Sequence, residues 1–348
     1  MLSLAGRGYA LAMRIREKAY EHGLFPSWRP PVKCISVGNI SWGGSGKTPI
    51  CSWLLRWCRQ KGLHPVLLTR GYRARPPHVP FHVHPDSPVE ISGDEPLILA
   101  RENPHAEVVV DPCRSRSGKW AWETFRPDLF ILDDGLQHMA VQRDLDLVVL
   151  RPRDLGRDWN RVIPSGPWRE GPKALKRASS LIINSKPEDA RTLEDSLYHK
   201  LPGWTRPVIH CAYRVEGLRR VSDDSPVRPT GPSLLVSGVG DPDGVEASAR
   251  QALGRPPAEH MRFPDHHPFG PVDWENISKR AEALGAECIV CTSKDRVKLE
   301  AWADVRLCTM VLSLDWYVLQ EGAWEMSAWL ETSLDRAARG TAPVRFPG

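Results

Sequence analysis

Two features of the sequence predict an α/β fold. Short apolar runs of strand length alternate with helical patterns along most of the 348-residue chain, and a glycine loop ending in Gly46-Lys47-Thr48 joins the first of those runs to the next helix. Together they predict a mostly parallel sheet flanked by helices, of the phosphate-binding-loop (P-loop) NTPase type. A second, smaller α/β domain and an N-terminal basic amphipathic helix complete the expected architecture.

Residues 3–23 read as a helix ended by Gly23, with Pro26 beyond it. At about 100° per residue, Arg7, Arg14 and Lys18 fall on one side beside Leu4, Leu11 and Ile15, with Tyr9, Met13 and Tyr20 roughly opposite. A basic helix with apolar flanks can lie in a membrane interface, its long stems snorkelling to lipid phosphates. It can equally pack on its own domain. A strand at 32–37 leads into the glycine loop, and 49–61 reads as a helix with Trp53, Leu54 and Trp57 at core spacing. Buried strands are expected at 65–69, 108–110, 129–132, 145–150 and 181–183, and 76–96 reads as a long ordered loop rich in Pro and His. The second α/β set runs through strands at 234–237, 288–291 and 309–314. The expected divisions are a membrane-associating helix (1–31), a P-loop core (32–210), a connector (211–232), a C-terminal α/β domain (233–335) and a loose tail (336–348).

Composition is that of an ordinary globular protein, 41% apolar and 26% charged. A net charge of +5 suits an acidic substrate or an anionic membrane surface and is too small to argue for nucleic acid. No run approaches the ~20 apolar residues of a membrane span. The uncharged run between Arg7 and Arg14 is too short for the apolar core of a secretory signal. The eight cysteines show no disulfide spacing, which points to a reducing cytosol. Cys288 and Cys291 form a CxxC, but within a strand residues three apart face opposite sides, so they read as core cysteines rather than shared metal ligands.

The strongest local signal runs from Val37 to Pro49: a strand leads in, a helix leads out, and Gly43, Gly44, Ser45, Gly46, Lys47 and Thr48 lie between. Glycines let backbone N–H groups point inward around phosphates, and the helix N-terminus adds a positive field. Lys47 would reach the β- and γ-phosphates of a nucleoside triphosphate and the Thr48 hydroxyl would sit on Mg²⁺. Ser41 stands where the usual pattern has glycine, so a strict match fails. The apolar run 129–132 ends in Asp133-Asp134-Gly135, either a solvated turn or the metal-organising acids such sheets carry at their carboxyl edge. Asp265-His266-His267 can orient an imidazole for proton transfer, form a surface turn or make part of a metal site. Taken alone, Gly93-Asp94-Glu95-Pro96 is a turn carrying acids.

Taken together, these pieces resemble the tetraacyldisaccharide 4′-kinases (lipid A 4′-kinases) of Gram-negative bacteria. The matches are VGNISWGGSGKTP at 37–49, TRGYR at 69–73, GDEP at 93–96, Arg114 after VVVDPC, ILDDGLQH at 131–138, IPSGPWRE at 163–170, FPDHHPF at 263–269 and TSKDRVKL at 292–299. Even Ser41 looks like the family's own version of the loop. The resemblance implies an enzyme that moves the γ-phosphate of ATP, with Mg²⁺, to the 4′-hydroxyl of a tetraacylated disaccharide 1-phosphate. It also implies work at the cytoplasmic face of the inner membrane, with no nucleic acid and no protein partner evident. Under it, Lys47 and Thr48 are the phosphate and Mg²⁺ residues, Asp133 and Asp134 the Walker B-like acids, and Glu170 a further acid near the metal. Asp94 matches the catalytic base and His266 the histidine paired with it, while Arg114, Gln137 and His138 match motif residues of accessory role. For His266 to act, the second half must close over the first. The helix here is shorter and more basic than the family's apolar anchor, which implies peripheral attachment.

Two other classes compete. A GTPase or small-molecule kinase would share the loop, but no Asn-Lys-x-Asp motif is present; Asn184-Ser185-Lys186-Pro187 and Thr292-Ser293-Lys294-Asp295 only approximate it. A non-catalytic nucleotide-binding membrane adaptor would keep Lys47 and Thr48 without needing Asp94, Glu170 and His266 together.

Overall fold

The computed structural model describes residues 4–317, 319 and 325–338. The chain begins with α1 (Leu4–Glu21), β1 (Lys33–Asn39), α2 (Lys47–Gln60), β2 (Pro65–Thr69) and β3 (Phe81–Val83). It continues through α3 (Val89–Ser92), α4 (Asp94–Glu102), β4 (Glu107–Val110), α5 (Arg114–Phe125), β5 (Leu129–Asp133) and β6 (Leu145–Leu150). Next come α6 (Pro152–Leu155), β7 (Ser180–Asn184), α7 (Ala190–Lys200), β8 (Val208–Arg220) and β9 (Pro226–Val227). The last part holds β10 (Ser233–Ser237), α8 (Pro242–Leu253), β11 (Glu259–Arg262), α9 (Pro271–Ala283), β12 (Cys288–Cys291), α10 (Ser293–Leu299), β13 (Leu307–Tyr317) and α11 (Met326–Ala338).

Among the described residues the strands form one sheet in the order β11-β10-β12-β13-β8-β7-β6-β1-β5-β2-β4-β3, with β9 beside β8. Pairing is parallel except at β3–β4, β8–β13 and β8–β9. Strands β2 and β5 are buried along their whole length, as expected where helices cover both faces. On one face Ile35, Leu67, Ile131 and Leu147 pack with Leu54 and Trp57 of α2 and Trp329 of α11. On the other, Leu68 and Phe130 pack with Ala121 of α5.

Two expectations are corrected. Residues 211–220, expected to open a connector, belong to β8, which pairs with β7 on one side and β13 on the other. The two α/β sets therefore share one sheet. The reason is legible in retrospect: Arg214 and Glu216 are exposed and alternate with the less exposed Tyr213 and Val215, a period of two along an edge-to-edge strand. The expected loop at 76–96 contains β3 and α3, and Asp94 begins α4 rather than sitting in a turn.

Cys288 and Cys291 lie in separate cores on opposite faces of β12, and all cysteines except Cys113 are buried. No described helix is long and apolar enough to cross a membrane. The tail expected over 336–348 begins later, because α11 runs through Ala338, and residues 339–348 lie outside the described residues.

Candidate active site

The loop between β1 and α2 is shaped by backbone that only glycine adopts freely. Gly46 has φ 83° and Gly43 φ 94°, both left-handed. Gly46 also has no room for a Cβ, because the Tyr213 hydroxyl and Asn184 Nδ2 lie against it. Ser41 is buried, and its hydroxyl accepts a hydrogen bond from Arg151 Nη2 at 2.6 Å. Arg151 also donates to the carbonyls of Gly44 at 3.2 Å and Trp42 at 3.3 Å, and Asp154 holds it at 3.1 Å. The departure from the usual glycine thus gives the loop an anchor on its outer side. Lys47 Nζ, at the first residue of α2, lies 3.1 Å from Asn39 Oδ1 and 3.4 Å from Asp134 Oδ1.

Asp133 ends β5, buried, and accepts the Thr69 hydroxyl at 2.9 Å. Burial, with the neighbouring charge of Glu95, pushes its carboxyl up to about 6. Asp134 follows in left-handed backbone with φ 53°. Burial works against its charge too, but Lys47 and Arg169 outweigh it and hold the carboxyl down at about 2. Arg169 Nη1 donates to Asp134 Oδ2 at 2.7 Å and to Gln137 Oε1 at 3.0 Å.

These residues fit a divalent cation. The buried Asp134 Oδ1 makes no hydrogen bond and has only the Lys47 ion pair at 3.4 Å, and Asp133, raised to about 6 by burial and then by the charge of Glu95, is a carboxylate that a cation would stabilise. Among the described residues no group of three His, Cys, Asp or Glu is close enough to form a complete ligand set. Mg²⁺ takes oxygen ligands, keeps several waters and shares substrate phosphates, so Thr48, Asp133 and Asp134 are donors of the right kind.

Glu95, an acid of the GDEP motif to which the sequence assigned no role, lies against the Thr48 hydroxyl and pairs with Lys294 of α10. Burial opposes its charge, yet Lys294 holds its carboxyl below the usual range. Its neighbour Asp94 opens α4 with Oδ2 3.0 Å from His266 Nδ1 and 3.3 Å from Lys298 Nζ. Burial would raise the Asp94 carboxyl, but the His266 hydrogen bond and the Lys298 charge hold it below its ordinary value. His266 has φ 58°; its N–H donates to Gly238 O at 3.0 Å, its carbonyl accepts from Arg73 at 2.9 Å, and its ring lies 5.3 Å from that of Tyr72. His266 and Asp94 are thus already in contact in this structure. His267 turns away to Asp273 at 3.1 Å.

The remaining expected residues fall into two groups. Gln137 donates to Asn39 O at 3.1 Å, and Arg114 donates to the Asp133 carbonyl at 3.3 Å, so both back the acidic pair. His138 is held down to about 4 by burial and by the nearby Arg114, with its Nε2 buried and unpartnered. Glu170 is buried against Arg177 at 2.7 Å, and Arg177 also reaches Glu17 of α1 at 2.6 Å. The structure thus pairs Glu170 with an arginine, one residue beyond the Arg169 that holds Asp134. Beside the loop, Trp42, Arg70, Tyr72, Arg73 and Arg75 line an open cleft of about 480 Å³. Of the cleft and the two lysines of α10 only the motifs TRGYR and TSKDRVKL gave a signal, and Arg151 lies in no motif.

A glycine loop at a strand's carboxyl end, a helix-opening lysine and threonine and two strand-end acids define a P-loop phosphotransferase. The family comparison narrows that class. The tetraacyldisaccharide-1-P 4′-kinase family profile matches residues 1–335, and the chain belongs to that family. A tetraacyldisaccharide 4′-kinase of Nitratidesulfovibrio vulgaris is 46% identical over 314 residues, covering 90% of this chain and 87% of the relative. One from Oleidesulfovibrio alaskensis is 43% identical over 320 residues, covering 91% and 88%. The crystal structure of LpxK from Aquifex aeolicus in complex with ATP superposes with a TM-score of 0.71 at 26% identity, covering 95% of this chain and 96% of that one. The protein is therefore a kinase of lipid A biosynthesis, acting on the 4′-hydroxyl of a tetraacyldisaccharide 1-phosphate.

Proposed function

We propose that the transfer from ATP uses Asp94 as the general base, oriented by His266, with Lys47 and the Asp133–Asp134 pair stabilising charge on the moving phosphoryl group. The observation that carries this reading is the Asp94–His266 pair, whose neighbour Glu95 touches Thr48 of the loop. A sugar hydroxyl is a poor nucleophile at neutral pH, and a carboxylate kept ionised beside it can accept its proton as the new P–O bond forms. Lys47 neutralises the β- and γ-phosphate oxygens. A Mg²⁺ held by Thr48, Asp133 and Asp134 would supply further charge stabilisation to those oxygens. Glu95, lying against the Thr48 hydroxyl, can accept its hydrogen bond and so leave an oxygen lone pair free for the cation. The arginines of the cleft beside Trp42 suit the acceptor's 1-phosphate.

Attachment is peripheral, at the cytoplasmic face of the inner membrane. Supporting this, α1 is tied to the body through Arg16 and Glu17 while Leu11 is 57% and Ile15 62% exposed, and Leu24 and Phe25, just after the helix, are exposed as well.

The test is phosphorylation of the acceptor in mixed micelles, with the modified hydroxyl identified. The expected product is the 4′-phosphate, with Asp94→Asn lowering kcat by about a hundredfold or more while ATP still binds. Full turnover by Asp94→Asn would remove Asp94 as base.

A further inference from the structure

We infer that Lys298, seated by Asp295 and Phe269, is a positioning residue for Asp94: it pins one carboxylate oxygen and leaves the other to meet the acceptor hydroxyl. This rests on the reading of Asp94 as base. Lys298 Nζ and His266 Nδ1 both approach Asp94 Oδ2, at 3.3 and 3.0 Å. Among the described residues no hydrogen bond uses Oδ1, whereas His266 bonds Oδ2. A carboxylate with a single partner can rotate about its Cβ–Cγ bond. Two partners on one oxygen, from α10 and from the loop after β11, fix its plane.

Lys298 is only 7% exposed, and its Nζ makes no well-formed hydrogen bond. It is held by charge and by the Phe269 ring, whose centroid lies 5.5 Å away. Burying an ammonium this way is costly, so stability alone does not explain it. Its counter-charge is Asp295, fully buried, with Oδ1 3.6 Å from Nζ. Thr292 Oγ1 donates to Asp295 at 2.7 Å and the Gly238 N–H at 3.1 Å. Gly238 is also the residue whose carbonyl holds the His266 N–H. Asp295 therefore locates both partners of Asp94, one directly and one through Gly238.

The charges favour one proton's arrival. With both carboxyls ionised, Asp94, Asp295 and Lys298 sum to one negative charge, which proton acceptance cancels. The other groups near Asp94 are committed elsewhere. Lys294 pairs with Glu95, Arg73 donates to the His266 carbonyl, the Tyr72 ring lies tilted against the His266 ring, and Asp265 lies 3.9 Å from His266 Nε2.

The test is steady-state kinetics of the full chain from about pH 3 to about pH 8, a window that takes in the carboxylate range, on acceptor in mixed micelles, for Lys298→Met, Lys298→Arg, Asp295→Asn and Asp94→Asn. In Lys298→Met, kcat should fall about tenfold or more while KM for ATP stays within about twofold. The acid limb of kcat/KM should rise by about one pH unit, because the cation that favours the Asp94 carboxylate is gone. Asp295→Asn should move that limb the opposite way, since Lys298 is then unshielded. A purely structural role would lower activity in both without moving the limbs apart. Lys298→Arg keeps the charge but not the geometry, so the limb should stay while kcat falls several-fold; it decides the matter if Lys298→Met does not fold. Wild-type kcat and limb in the Lys298 variants, with Asp94→Asn inactive, would overturn the inference and leave the base reading intact. An active Asp94→Asn would overturn the base reading itself.

Discussion

Ser41 supplies what a glycine at its position would not: an acceptor for Arg151, which in turn grips two carbonyls of the phosphate loop. Removing that acceptor in Ser41→Ala leaves a buried donor of a charged group with one fewer partner. The expected cost is about 1–2 kcal/mol in urea unfolding, with a few-fold rise in KM for ATP and little change in kcat. A stability loss with unchanged KM would mean the anchor does not set the loop's shape. The acids divide by environment in the same way. Asp133 and Asp134 are adjacent in sequence, yet one is pushed up to about 6 and the other held at about 2, because only Asp134 touches Lys47 and Arg169. Sequence shows two aspartates and cannot distinguish them, since the difference lies in residues 35 and more positions away.

At the scale of elements, α4 and α10 form the joint of the site. Lys294 reaches Glu95, Lys298 reaches Asp94, and Arg101 reaches Glu300, so α10 lays a row of charges along α4. The two lysines stand four residues apart, one helical turn, and so meet the adjacent acids that open α4. The spacing was visible in TSKDRVKL; the partner was not, because it lies about two hundred residues earlier. Helix α1 presents the opposite case. Its basic and apolar residues were legible, but which face is tied down depends on Arg16 and Glu17 meeting Gln137 and Arg177. Replacing the exposed Leu11 and Ile15 together by serine should weaken binding to anionic vesicles several-fold and raise KM for micellar acceptor, while leaving KM for ATP unchanged. Sedimentation with vesicles and paired kinetics check this; unchanged vesicle binding would assign membrane contact to another surface.

At the scale of the whole molecule, stability and pH are linked with a definite sign. Asp134, held at about 2, and Asp94, held below its ordinary value, add stability above about pH 4 that is lost as pH falls through their folded values. Asp133, raised to about 6, acts oppositely: its protonated form suits the fold, so its contribution is lost as pH rises from about 4 through 6. Urea unfolding without nucleotide should therefore show Asp134→Asn flattening the decline between pH 4 and 2, and Asp133→Asn flattening the decline between pH 4 and 6. An unchanged slope in either variant would contradict the assignment of that carboxyl.

By itself the sequence determined the parallel α/β layout, the phosphate loop, the strand-end acids and, through its ordered motifs, the family. These are local or repeating signals: apolar runs set strands, left-handed glycines and a helix start set the loop, and such patterns survive without knowledge of the fold. Tertiary structure alone decided that β8 joins both halves into one sheet and that Glu170 faces Arg177. It also decided that Glu95 and two lysines of α10 complete the ground between loop and base. Those facts depend on charges brought together across distant stretches of chain, and a contact between residues 94 and 298 leaves no trace in the neighbours of either.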